Sequence, residues 1–194
     1  MTTIDWQQGM WRLKPAGASV DHRVIIAGDW APIRRYGDLM RTDPASVYGD
    51  LLPVLRDSDL YIVNLEAPLC TGGTGDLFQD GRIAKDGPNL RGDPQAIQAL
   101  ATVPFDVACL ANNHSMDYGP AALRETQTRL ACHAIDTVGA GLSRQEALAP
   151  LVRRVGETTL GLVNFCEGED ATSTTADAAA IAGVFGWEIP TVLE

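Results

Sequence analysis

Residues 106–119 read Asp-Val-Ala-Cys-Leu-Ala-Asn-Asn-His-Ser-Met-Asp-Tyr-Gly, an apolar run that ends in Asn112, Asn113, His114 and Asp117. Amides, an imidazole and a carboxylate crowded behind a buried strand lose hydration unless something there binds them. Oxygen and nitrogen donors at a strand end suit hard and borderline cations, so the stretch points to a divalent metal together with a phosphate or other anion.

Two earlier segments repeat the design. Arg23 to Ala27 is a short apolar run (Val24, Ile25, Ile26) that stops at Gly28-Asp29, and Leu60 to Val63 is another that stops at Asn64-Leu65-Glu66. In open parallel sheets, ligands sit outside the carboxyl ends of the strands, so Asp29, Glu66 and Asn113 are expected to converge there although far apart in sequence. Singly, each has a plainer explanation: Asp29 as the cap of a turn, Asn113 and His114 as a satisfied polar turn. The repetition is what favours binding.

With 194 residues the chain is long enough for a sizeable core and fits one domain or a large part of one. Hydrophobic residues make up 45%, yet no apolar run approaches the roughly 20 needed to cross a bilayer, so no membrane span is expected. The start, Met-Thr-Thr-Ile-Asp-Trp, lacks a basic region followed by an apolar one and does not read as a secretory signal, which makes a cytoplasmic location the expectation. Fifteen basic against twenty-five acidic residues give a formal charge of −10, which disfavours nucleic acid and anionic membrane surfaces as partners. Cys70, Cys109, Cys132 and Cys166 form no Cys-x-x-Cys pair and read as buried free thiols of a reducing compartment.

Along the chain, 1–22 reads as an arm without periodicity and 23–194 as the domain. Trp30 to Asp43, with Pro32 and Gly37, suits a loop over a strand end. Asp50 can cap a helix bearing Leu51, Leu52 and Leu55 with Pro53 in its first turn, and Asp93-Pro94 opens another bearing Ile97, Leu100 and Ala101. Between them, Cys70 to Arg91 is a long loop whose Lys85 either reaches an anion over the strand ends or is simply solvated. Gly119-Pro120 opens a helix with Leu123, Leu130 and Ala134 on its apolar side and Arg124, Glu125 and Arg129 on its wet side.

A strand over Ala134 to Val138, a short helix near Ser143 to Ala149 and a β-pair across Leu151 to Val155 and Thr159 to Phe165, turning at Gly156-Glu157, follow. Strands alternating with helices imply an α/β fold with a mainly parallel sheet and flanking helices. Glu167 to Ala180 reads as a mobile polar loop, and Gly186 to Glu194 as the opening of a helix cut before its second turn.

Gly28-Asp29, Asn64-Leu65-Glu66-Ala67-Pro68, Leu110-Ala111-Asn112-Asn113-His114-Ser115-Met116-Asp117-Tyr118-Gly119 and Gly139-Ala140-Gly141 together resemble the CapA-like capsule-synthesis proteins associated with poly-γ-glutamate. The resemblance runs from about residue 23 to 165 and implies the N-terminal half of a calcineurin-like metallophosphoesterase sandwich. Carried over, it implies Asp29, Glu66 and Asn113 as ligands of divalent metal ions (Mn, Zn, Fe or Mg). It further implies His114 as the imidazole at the substrate phosphate or leaving oxygen, with Asp117 orienting it; Asn64 and Asn112, and with them Lys85 of the long loop, are the expected substrate-facing groups. In such a site, cations neutralise phosphoryl charge and acidify a water.

Where related metallophosphoesterases place a histidine two residues after the first aspartate, this chain has Ala31, and its histidines are His22, His114 and His133. Two functions therefore stand side by side. One is a metal-dependent phosphoester hydrolase-like domain, weak or inactive as an isolated chain. The other is a non-catalytic accessory protein for polyanionic capsule synthesis that uses the same pocket, with or without metal, to bind and position partners. A domain apparently cut at its C-terminal end is also expected to expose an apolar sheet face or edge and to self-associate, or to need the missing half.

Overall fold

The computed structural model describes residues 22–72, 82 and 87–166, and the backbone of 2–5, 10–13, 167, 173–174 and 183–187. Its centre is an all-parallel sheet of β3 (Val24–Trp30), β4 (Leu60–Leu65), β5 (Val107–Cys109) and β6 (Asp136–Val138), in that order. β4 has apolar residues on both faces, as a strand covered from both sides requires: Leu60, Tyr61, Ile62, Val63 and Leu65 are all buried. The expected α/β architecture with a parallel sheet and flanking helices is what the structure shows.

One face of the sheet carries the main core. Tyr61, Val63, Leu65 and Ala108 pack against Met40 of α1 (Arg34–Thr42), Ile97 and Leu100 of α3 (Ile97–Thr102), and Leu123 and Leu130 of α4 (Gly119–Cys132). The opposite face presents Leu60, Ile62, Val107 and Val138. It is covered by an antiparallel hairpin of β8 (Leu151–Val155) and β9 (Thr158–Leu162), which contributes Leu151, Val155, Leu160 and Leu162. The hairpin leaves the edge strand β3 uncovered on that face: Ile26 is 76% exposed.

Several local expectations change. Trp30 to Asp43 is not a loop, because α1 occupies most of it. Pro32 and Gly37 read as breakers but mark a close approach. A Cβ at Gly37 would lie 2.7 Å from the Pro32 carbonyl oxygen, so only glycine lets the first turn sit on that proline. Asp50 caps nothing. It lies inside a 3-10 turn (Gly49–Leu51) that runs directly into α2 (Leu52–Leu55), and Leu51 is exposed. Asp93 does cap, accepting from the Gln95 N–H at 2.7 Å. α4 stops at Cys132, and Ala134 takes a positive φ of 58° and lies exposed, so it is no part of the apolar stripe.

The arm contains two paired strands, β1 (Thr2–Asp5) and β2 (Met10–Leu13). Gly186-Trp187 does not open a helix but ends β12 (Gly183–Trp187), which pairs with β7 (Ala140–Gly141), β10 (Cys166–Glu167) and β11 (Ser173–Thr174). Residues 188–194 and most of the expected polar loop lie outside the described residues. None of the four cysteines forms a disulfide, as expected, but only Cys70 is fully buried and Cys132 is exposed at the end of α4.

The wet side of α4 has a role the residue pattern does not announce. Glu125 accepts from both Arg129 Nε (3.1 Å) and Nη2 (2.6 Å), and from the Thr71 N–H at 3.2 Å, so it ties the helix to the segment after β4. Partial burial opposes its ionisation, but Arg129 and Thr71 outweigh burial and hold the carboxyl below its ordinary value of 4.5. A lowered folded pKa gives stability that is present above 4.5 and lost as pH falls through the folded value. Glu125→Gln is therefore expected to cost about 1 kcal/mol at pH 7. It should also flatten the acid limb of a plot of Tm against pH, and equal acid limbs in the two proteins would contradict this.

Candidate functional site

The parallel register sets Asp29 beside Asn64 and Asn64 beside Cys109 at the carboxyl ends of β3, β4 and β5, with a bulge between Ile26 and Asp29. From there a chain of hydrogen bonds crosses the strand ends. Asn64 Nδ2 donates to Asp29 Oδ1 at 2.8 Å, and Asn112 Nδ2 donates to Asn64 Oδ1 at 3.1 Å and to the Leu65 carbonyl at 2.9 Å. Asn112 Oδ1 accepts from the His114 N–H at 3.0 Å and from Ser115 Oγ at 3.2 Å. Both ends of the Asn112 amide are thus engaged inside the protein, and its position at 8% exposure makes it the pin of the site. Asp29 stays exposed.

His114 turns back into the same turn. Its Nδ1 lies 2.7 Å from Asp117 Oδ2, with side-chain exposures of 9% and 0%. Asp117 also takes the Leu90 N–H on Oδ2 at 2.5 Å, while its carbonyl accepts from Asn89 Nδ2 at 3.2 Å. A carboxylate that accepts these bonds holds the imidazole proton on Nδ1 and places the lone pair on Nε2, which is the tautomer a base or a phosphate-facing ring needs.

Glu66 is half-buried one residue beyond β4, and its N–H donates to the Trp30 carbonyl at 3.1 Å, so the exits of β3 and β4 are stitched together. Asn113 is exposed next to Asn112. Direct side-chain bonds thus join Asp29, Asn64 and Asn112, and separately His114 and Asp117, and Glu66 and Asn113 follow the same strand ends in the chain. Lys85 lies outside the described residues. His133 is exposed just past the end of α4, its Nδ1 3.0 Å from the Arg129 carbonyl, and His22 lies at the opposite end of the sheet beside Asp59.

The donors at this edge are carboxylate and amide oxygens, and among the described residues no three His, Cys, Asp or Glu side chains gather as a metal cluster. That donor set fits a hard cation such as Mg²⁺ or Mn²⁺ that keeps part of its water shell, and fits poorly an imidazole-rich zinc centre. Cysteine chemistry is disfavoured at the same place. Burial pushes the Cys109 thiol up, and burial together with Glu125 pushes Cys70 up to about 11, so neither is a thiolate near neutrality.

Two supports were not singled out from the residues. Asn164, beyond β9, accepts the Ala111 N–H on Oδ1 at 2.6 Å and so anchors the segment that leads into Asn112. Its signal is a lone amide inside Leu162-Val163-Asn164-Phe165. Ser115 Oγ donates to the Leu110 carbonyl at 2.5 Å and closes the turn from within.

Residues 23–187 match the family model described as bacterial capsule synthesis protein PGA_cap. Among curated proteins, the chain is 27% identical over 123 residues to the PGA biosynthesis protein CapA of Bacillus subtilis, a match that covers 63% of this chain and 31% of that protein. It is 30% identical over 127 residues to a probable polyglutamine synthesis accessory protein of Mycobacterium tuberculosis, covering 64% of this chain and 31% of the relative. The matched stretch thus spans about a third of the length of these relatives.

Proposed function

Since the chain belongs to the bacterial capsule synthesis protein family PGA_cap, we propose that it serves the making of a poly-γ-glutamate capsule through a strand-end site of phosphoester-hydrolase type that works with a divalent cation. The observation that carries this reading is the buried His114–Asp117 pair at 2.7 Å, joined through Asn112 and Asn64 to the Asp29 carboxylate. A buried imidazole with a fixed tautomer, next to exposed oxygen donors, is an arrangement for moving a proton beside a bound anion. A net charge of −10 repels a phosphoester or polyglutamate over the surface as a whole, a repulsion that a bound cation would offset locally.

In this reading Asp29, Glu66 and Asn113 would hold the cation. When bound, it supplies charge neutralisation for the phosphoryl group and a more acidic water. Asn64 fixes the direction of the Asp29 carboxylate by donating to Oδ1. Asp117 keeps the His114 proton on Nδ1, so that Nε2 exchanges a proton with the attacking water or the leaving oxygen.

A second reading, a non-catalytic accessory protein with the same pocket, is favoured by Ala31 at the usual histidine position and by the name of the mycobacterial relative. Incubating the protein with a panel of phosphomonoesters and phosphodiesters in Mn²⁺ or Mg²⁺ separates the two. Metal-dependent cleavage supports the hydrolase. Metal binding without cleavage supports the accessory role, and neither binding nor cleavage overturns the hydrolase reading.

A further inference from the structure

The segment Asn89–Gly92 touches Asp117 and the stretches that follow Asp29 and Glu66, although it lies in none of the strand-end motifs. Leu90 donates its N–H to Asp117 Oδ2 at 2.5 Å, the same oxygen that faces His114 Nδ1 at 2.7 Å, and Asn89 Nδ2 donates to the Asp117 carbonyl at 3.2 Å. Arg91 lies over the Tyr118 ring, 5.3 Å from its centroid, and so grips the other flank of the same turn. Gly92 donates its N–H to the Pro68 carbonyl at 2.9 Å and forms a parallel bridge with Leu69, in the segment that follows Glu66.

Gly92 is also where the segment after Asp29 arrives. It is buried, and a Cβ built on it would fall inside contact distance of Pro32 Cγ and 2.9 Å from Leu69 Cδ2. One backbone position is therefore wedged between the exit of β3, the exit of β4 and the arch that donates to Asp117.

From this geometry we infer that Asn89–Gly92 is the positioning element of the site: it sets Asp117 against His114 and fixes that pair relative to the exits carrying Asp29 and Glu66. The inference deepens the proposed function and rests on its His114–Asp117 pair. Leu90 acts through its main chain. Its N–H bonds a carboxylate oxygen, the charge-assisted kind that is short and orienting, and so keeps Oδ2 turned toward the imidazole. Asn89 and Gly92 set where that N–H stands. None of them touches a substrate, so all are positioning residues.

The test reads the ring itself. Histidine ring ¹⁵N spectra at one fixed pH, without metal or substrate, distinguish a proton fixed on Nδ1 from one shared between the nitrogens. For the wild type, two well-separated His114 nitrogen signals of the Nδ1-protonated form are expected. Gly92→Ala pushes the arch off Pro32, and its two signals should move toward each other. Gly92→Ala with Pro32→Ala removes the closer of the two atoms that the new methyl meets, leaving Leu69 Cδ2, the movable end of a side chain, and should restore most of the separation. A cooperative thermal melt checks folding, and where Gly92→Ala does not fold, Asn89→Ala serves as the reading variant with a smaller shift in the same direction.

Signals unchanged in a folded Gly92→Ala protein, or in Asn89→Ala where that replaces it, overturn the inference. So does a perturbation that Pro32→Ala fails to relieve. A wild type without the Nδ1-protonated ring overturns the inference and the His114–Asp117 basis of the proposed function together. Normal ring behaviour in a protein that neither binds metal nor cleaves phosphoesters removes the functional reading alone.

Discussion

Replacing His114 with alanine is expected to slow metal-dependent phosphoester cleavage by about 10²–10⁴-fold, the usual share of a positioned proton-transfer group. The ring is buried, and its loss leaves Asp117 Oδ2 with the Leu90 N–H but without the imidazole, so a stability cost of about 1–3 kcal/mol accompanies the rate loss. Asp117→Asn separates the two effects. It keeps the volume, and because Oδ2 faces both the Leu90 N–H and His114 Nδ1, an amide oxygen placed there accepts both bonds without the carboxylate charge that stabilises the imidazolium during proton transfer; a loss of about 10–100-fold is expected with a much smaller change in Tm. Initial rates on a chromogenic phosphodiester in Mn²⁺ check both. A His114→Ala protein that keeps the full rate, while Asp29→Ala loses it, would place the imidazole outside the reaction.

The second large effect is structural. Gly139 follows β6 with a φ of +92°, and a Cβ there would lie 2.8 Å from both Ala111 Cβ and the Asn164 carbonyl oxygen, and closer still to Asn164 Oδ1. Gly139→Ala meets two costs at once, a backbone conformation that side chains resist and a methyl forced into an occupied corner, for a total of about 2–5 kcal/mol. The damage falls on the site, because Asn164 Oδ1 anchors the Ala111 N–H one residue before Asn112. Urea unfolding should show the loss as a lower midpoint with an unchanged slope. Gly28→Ala is the control: a methyl on Gly28 meets nothing within 4 Å, and its effect should be far smaller.

What could be read from the residues follows what local patterning can carry. Val24-Ile25-Ile26, Leu60 to Val63 and Val107-Ala108-Cys109 are uninterrupted apolar runs with polar exits, and that pattern places the exits at Asp29, Asn64 to Glu66 and Asn112-Asn113 on one edge of a parallel sheet; that Asn64 and Asn112 bridge to Asp29 is seen only in three dimensions. The hairpin turning at Gly156-Glu157 was legible for the same reason: two apolar strands meet at a glycine with positive φ. α1 was not legible, because its Gly37 is a packing glycine whose partner, Pro32, is recognisable only in three dimensions. Asp50 resembles a cap, yet the chain enters α2 from a 3-10 turn that already satisfies the first turn through its backbone.

At the site, the His114–Asp117 spacing of three residues was visible as a local turn, and the pair forms as that spacing allows. The relay through Asn64 and Asn112 spans 48 residues between donor and acceptor, and no local pattern encodes which amide faces which. The same holds for Asn164 and for Leu90, which act on the site across 53 and 27 residues, the latter through its main chain.

The most direct measurement is a calorimetric titration of Mn²⁺ into the wild-type protein and into the Asp29→Ala, Glu66→Ala double variant. Saturable binding to the wild type that disappears in the double variant is the predicted result. Binding of equal strength in both proteins, or none to a folded wild type, would contradict the claim that these strand-end carboxylates hold a common cation.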